Sequence, residues 1–213
     1  EYCYQVRAVN AAGQSTYAGP VCDTPTTPDA LDFGTGSAYV TFGDAAALDL
    51  AQFTIEAWFK REGTGITTTT GSGGVTNAIP LVTKGRGEAD DDNRDMNYFL
   101  GIRASDNVLV ADFEEGTGGG DLGLNHPVIG VTPIVTGTWY HAAVTYDGTT
   151  WRLYLNGNLE TELAVGMPVR WDSIQHAALG TALNSTGVSE GHFDGVLDEV
   201  HIWNYARTQA EIR

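Results

Sequence analysis

The densest set of potential ligand atoms is Glu88-Ala89-Asp90-Asp91-Asp92-Asn93-Arg94-Asp95, which places five carboxylates in eight residues. Like charges crowded in this way repel, and a hard divalent cation would relieve them. Asp90, Asp92 and Asp95 are the candidate ligands of such a rim site. The spacing is not that of an EF-hand, since the required glycine and terminal glutamate are missing. A solvated acidic face is the competing account. A second carboxylate stands out by its position. In Phe193 to Trp203, strand alternation puts Asp198 on the side of Val200 and Ile202, which should face a core. A buried carboxylate needs a metal or a partner, unless a local bulge turns it to solvent or to a backbone donor.

The five tryptophans offer sugar-stacking surfaces. Trp151 and Trp171 lie close to turns and are the candidate ligand-binding platforms, whereas Trp58 and Trp139 sit inside strand blocks and read as core. His141 reads as a satisfied strand histidine, and His126 has no visible carboxylate or thiol partner. Asn184-Ser185-Thr186 fits the N-glycosylation sequon. Nucleophile-elbow, zincin and P-loop patterns are all missing, so the Gly/Thr stretches 63–76 and 116–123 read as long mobile loops rather than phosphate cradles.

The elements that must position these groups are strands. The chain has 213 residues and an apolar share of 42%, which suits an ordinary packed core. Eleven Lys+Arg stand against 27 Asp+Glu, a net charge of −16 that argues against nucleic acid and anionic membrane surfaces. No apolar run approaches the roughly 18 residues of a membrane span. Glu rather than Met at position 1, with no signal peptide, suggests a processed or excised piece.

Residues 2–9 and 16–22 read as a hairpin about Ala12-Gly13. Pairing position i with 25−i sets Cys3 opposite Cys22, close enough for a disulfide that would stabilise the hairpin by roughly 3 kcal/mol. That bond would imply an oxidising, extracellular compartment, secreted or at the cell surface; two buried thiols are the alternative. Tyr2-x-Tyr4-x-Val6-x-Ala8-Val9-Asn10-x-x-Gly13-x-Ser15 resembles the last two strands of a fibronectin type III domain, over residues 1–23. Two strands alone are marginal in water, so the hairpin must lean on the next domain or on another chain. Residues 24–29 read as a stiff, extended linker.

From residue 30 to 213 short strands alternate with Gly/Asn/Asp turns, and at least ten of them predict an all-β, two-sheet antiparallel sandwich of jelly-roll type. Three ordered blocks carry a family resemblance. They are Ala30 to Phe33 with Phe53 to Phe59, Trp139 to Gly148 with Leu153 to Gly157, and Phe193 to Asn204. Together they resemble the laminin-G-like, concanavalin A-like jelly rolls. The resemblance implies partner surfaces on a concave face or loop rim, and a structural Ca²⁺ held by Asp198 with Asp32 and the carbonyl of Gly34. Hydrolases of such folds usually carry an E-x-D-x-E run. Here Asp112-Phe113-Glu114-Glu115 comes nearest, with Asp112 and Glu114 on one face and no third acid. The expectation is therefore a non-catalytic extracellular binding or adhesion module of a larger protein, calcium-stabilised, recognising glycan or protein. The alternative is a structural subunit of a surface layer or filament, self-assembled through strand pairing of the hairpin.

Overall fold

The computed structural model describes residues 2–6, 9–10, 13–14, 18–23, 30–34 and 36–212, with side chains described only from residue 30 onward. It divides into two compact units, 1–30 and 31–213. In the first, β1 (Tyr2–Val6) pairs antiparallel with β4 (Ala18–Asp23), and β2 (Val9–Asn10) with β3 (Gly13–Gln14). At its base the hairpin keeps the expected register, with Tyr2 opposite Asp23 and Cys3 opposite Cys22. An irregularity between Tyr4 and Val6 then moves the pairing, so that Val6 meets Ala18 and Asn10 meets Gly13. The predicted disulfide concerns side chains that lie outside the described residues.

The second unit is the two-sheet sandwich. The first sheet takes β5 (Leu31–Asp32), β7 (Phe53–Arg61), β12 (Trp139–Tyr146), β13 (Thr150–Leu155), β14 (Asn158–Ala164) and β18 (Gly195–Trp203), in the order β14-β13-β12-β7-β18-β5. The second takes β6 (Val40–Gly43), β8 (Ala78–Lys84), β9 (Tyr98–Arg103), β10 (Val108–Asp112), β11 (Val128–Pro133) and β15 (Ala177–Leu179), in the order β11-β10-β9-β8-β15-β6. A small sheet of β16 (Thr181–Leu183) and β17 (Ser189–His192), a 3₁₀ turn at Ala46–Leu48 and the C-terminal helix α1 (Gln209–Ile212) complete it.

Alternation explains the core. Phe53, Ile55, Ala57 and Phe59 of β7 point inward, meeting Leu100 and Ile102 of β9, Leu109 and Ala111 of β10, and Leu153 of β13. Each such fully buried large side chain contributes about 1.5–3 kcal/mol. The tight turn between β13 and β14 follows from Asn156-Gly157, both with positive φ (50° and 72°), as a two-residue hairpin of this twist requires.

The two sheets differ on their outer faces. Every residue of β8 is buried, because its outer side is roofed by loops. Val75, Met96 and Ala182 pack there on Ala78, Phe99 and Val110 as a second small core. The stretch 63–76 is part of that roof. Its backbone bridges Ile66 to His192 and Thr68 to Ala78, and Thr70 is fully buried. The expectation of a loose loop is corrected: apolar Val75 and the paired backbone hold it down.

Candidate functional site

Two places in the second unit gather functional groups. The first lies under the roof of the second sheet. Beyond Asp112 the alternation of β10 continues, so Phe113 enters the core while Asp112 and Glu114 turn outward beneath the loops. Both carboxylates are fully buried. Asp112 Oδ2 accepts from Thr70 Oγ1 (2.6 Å) and Asn125 Nδ2 (3.1 Å), and Asn125 Nδ2 also reaches Glu114 Oε1 (3.1 Å). Gly71 and Gly74 leave room for this: a Cβ on Gly74 would lie 2.7 Å from Asp112 Oδ2, and one on Gly71 2.9 Å from Glu114 Oε1.

The acidic loop closes over this pair. One carboxylate oxygen each from Asp90, Asp95 and Glu114 lie within 4.8 Å of one another. Asp95 is fully buried, as is Glu114, while Asp90 is exposed. Asp95 Oδ2, Glu114 Oε2, Asp112 Oδ1 and Asn125 Oδ1 are buried with no hydrogen-bond partner among the described residues. Burial pushes the Asp95 carboxyl up to about 8, opposed by the Met96 N–H and reinforced by the Asp90 charge. Burial likewise raises Asp112 to about 7, against the bond from Thr70. The neighbouring cation, Arg170, favours the Asp95 anion from a distance and makes no ion pair with it, and its Nε is buried without a hydrogen-bond partner. Its Nη2 donates to the Glu115 carbonyl (3.1 Å), and its ion-pair contact is with Asp172 at 3.8 Å.

The rest of the predicted loop set is not recruited. Asp92 is exposed and chelated by Arg94, while Glu88 accepts from Ser185 and Gln175. The expectation that His126 lacks a partner is corrected, since its Nε2 lies 2.9 Å from Glu115 Oε1. Trp171 is 48% exposed and follows Arg170 in the chain. The segment around it is tied to Glu114 by the Arg170 N–H (2.8 Å), to Asn93 by the Ile174 N–H (2.9 Å), and to buried Lys84 by the Ser173 carbonyl (2.8 Å).

The second place is a groove of about 570 Å³ on the outer face of the first sheet, lined by Glu56, Trp58, Trp139, His141, the Asn156-Gly157 turn and α1. Because Ala57 and Phe59 point inward, Glu56, Trp58 and Lys60 must point out. The register sets His141 opposite Trp58 and Trp139 opposite Lys60. The Trp58 and His141 rings are 5.3 Å apart, and the Lys60 ammonium lies 5.6 Å from the Trp139 ring. Trp58 and Trp139 are 42% and 40% exposed. Burial opposes ionisation of Glu56, but bonds from His141 and Arg207 outweigh it and hold the carboxyl below its usual range.

The tryptophan expectations are thus half inverted. Trp151 is fully buried, its ring 5.6 Å from Phe53 and 5.3 Å from Phe113, so it serves the core and not a ligand. Trp171 is exposed as expected, while Trp58 and Trp139, read as core, are the aromatic walls of the groove. Asp198 also departs from expectation. Asp198 pairs with Trp58 and His201 with Glu56, so β18 carries one extra residue there, with Glu199 at φ 46°. The bulge lets Leu197, Val200 and Ile202 all reach the core and puts Asp198 beside Trp58, where its Oδ1 accepts the Glu199 N–H (2.8 Å). Asp32, opposite Val196, is exposed, and its Oδ1 accepts the Gly34 N–H (2.9 Å). The premise of a buried, uncompensated Asp198 therefore falls away.

The fold defines a jelly-roll domain of the lectin-like type. The chain belongs to the laminin-G-like family of the concanavalin A-like lectin/glucanases superfamily, whose model matches residues 33–213. It is 25% identical over 172 residues to pappalysin-1 of Mus musculus, covering 75% of this chain but only 9% of that much longer protein. In structure it is similar to the CBM40 domain of a Ruminococcus gnavus IT-sialidase bound to α2,3-sialyllactose (TM-score 0.62, 16% identity, 86% of this chain and 94% of that one). It is also similar to domain 4 of the Geobacillus stearothermophilus arabinanase AbnA in complex with arabinotriose (TM-score 0.54, 18% identity, 98% and 79%).

Proposed function

We propose that this chain is a non-catalytic, calcium-stabilised glycan-binding module of a larger extracellular protein, with the groove on the first sheet as its binding surface. The observation that carries this reading is the pair of half-exposed tryptophans, Trp58 and Trp139, flanking a groove that also offers Glu56, His141 and Asn156. Exposed indoles cover the apolar face of a sugar ring, while fixed polar groups select its hydroxyls. The sialyllactose- and arabinotriose-bound neighbours support a carbohydrate as ligand. Hydrolysis would require two carboxylates astride an exposed bond. Glu56 is instead engaged by Arg207 and His141, and the Asp112–Glu114 pair is buried. An acidic composition with only two lysines, one of them buried, and Cys3 facing Cys22 across the hairpin support an extracellular setting.

A glycan array paired with a screen for release of dye from chromogenic glycosides tests the reading. Binding without turnover is expected, and Trp58→Ala or Trp139→Ala should weaken it tenfold or more while the melting temperature moves little. Turnover, or full binding by both variants, would overturn it.

A further inference from the structure

We infer that Asp90, Asp95 and Glu114 form a binding site for one hard divalent cation of the calcium class, clamping the acidic loop onto the end of β10. The inference rests on the calcium component of the proposed function and gives it a ligand set that the resemblance did not, in place of Asp32, Gly34 and Asp198.

Three carboxylate oxygens lie within 4.8 Å of one another, two of them on fully buried residues, and Arg170 offsets their mutual repulsion only at a distance. A separate observation points to a missing partner. Asp95 Oδ2 and Glu114 Oε2 are buried and accept no hydrogen bond, although the other oxygen of each carboxylate is satisfied by Met96 N–H and Asn125 Nδ2 respectively. Buried polar atoms are nearly always paired, and two orphaned oxygens beside a third carboxylate are what a cation would satisfy. Arg170 lies near enough to favour the Asp95 anion, but among the described residues it neither pairs with nor hydrogen-bonds any of the three carboxylates, and its ion-pair contact is with Asp172 at 3.8 Å.

The chemistry of the donors selects the class of ion. All three are carboxylate oxygens, and no cysteine or histidine belongs to the group. That disfavours zinc and copper and suits calcium, which accepts irregular oxygen sets and completes its shell with carbonyls and water. Behind the ligands, Asn125 spans Asp112 and Glu114, and Thr70 fixes Asp112, so the Glu114 carboxylate is held before any ion arrives. Asp90 is the exposed member of the set and joins the site to solvent.

Calorimetric titration of Ca²⁺ into the chelator-treated chain, with melting curves in parallel, tests the assignment. One equivalent should bind and raise the melting temperature. Glu114→Gln should weaken binding tenfold or more. Asp95→Asn should abolish the response to Ca²⁺ while the metal-free chain melts no lower than the parent, because a neutral amide of the same shape fills the place; with a purely structural Asp95 it would melt lower. Asp32→Asn and Asp198→Asn should titrate like the parent. No binding by the parent, parental affinity in both Asp95→Asn and Glu114→Gln, or loss of binding in Asp32→Asn would each overturn the assignment. Trp58→Ala should still bind Ca²⁺, so failure of the glycan reading and failure of the cation site are told apart.

Discussion

Asp147 shows how much one side chain in a hairpin turn can do. Its Oδ1 accepts N–H bonds from Thr149 (2.9 Å) and Thr150 (2.7 Å) and the Thr149 hydroxyl (2.6 Å), and its Oδ2 meets Arg152 at 2.7 Å. Burial opposes the charge, but these bonds outweigh it and hold the carboxyl well below its ordinary 3.8. A carboxyl whose pKa is depressed on folding stabilises the fold above its unfolded value and loses that contribution as pH falls from 3.8 toward the folded value. Asp147→Asn should therefore cost on the order of 1 kcal/mol at pH 7, after allowance for solvent screening. Urea midpoints should show the gap between parent and variant closing below about pH 4. A gap unchanged between pH 7 and pH 3 would contradict the assignment. The tryptophans teach a second lesson at this scale. In Trp151-x-Leu153-x-Leu155 the indole shares the parity of core leucines, and Trp58 shares the parity of Glu56 and Lys60. That signal was legible; proximity to a turn was the weaker guide.

At the scale of the element, the bulge in β18 decides where three side chains go. Strict alternation would send Asp198 inward with Val200 and Ile202, but the extra residue changes parity between Leu197 and Val200 and turns Asp198 outward. Glu199 takes the left-handed conformation at φ 46°, which costs an L-residue roughly 1–2 kcal/mol. Glu199→Gly should thus be neutral or stabilising by up to about 1 kcal/mol, while Glu199→Val should destabilise by about 1–2 kcal/mol. Equal denaturation midpoints for the two variants would count against a strained bulge. No residue type at this position announces the bulge: a glycine would have, and the chain has a glutamate.

At the scale of the molecule, the sandwich dresses its sheets differently. The first sheet leaves Trp58 and Trp139 open on its outer face, and the second is covered by loops that carry Thr70, Asp90, Asp95 and Asn125. The acidic excess of −16 thereby splits into a buried cluster and a dispersed surface. In the N-terminal unit, the register of Cys3 with Cys22 is the geometry a cross-strand disulfide uses. We expect the bond to form under oxidising conditions. Alkylation without reductant should leave the mass unchanged, and reduction should cost the hairpin roughly 3 kcal/mol; two labelled thiols without reductant would refute it.

The sequence by itself determined the architecture. Period-two patterns in Phe53 to Phe59 and Trp139 to Tyr146, with turn chemistry at Asp147-Gly148 and Asn156-Gly157, specify antiparallel strands because alternation and φ preference are local properties. It also marked the acidic loop and the shared face of Asp112 and Glu114. What only the tertiary structure decided was their meeting. Asp95 and Glu114 stand 19 positions apart in the chain, and their approach depends on how a loop folds back over a sheet. Such long-range closure is set by packing of the whole roof, Val75 and Met96 included, and not by any spacing of residues. Glu56 and Arg207, more remote still in sequence, are paired by the same kind of long-range packing.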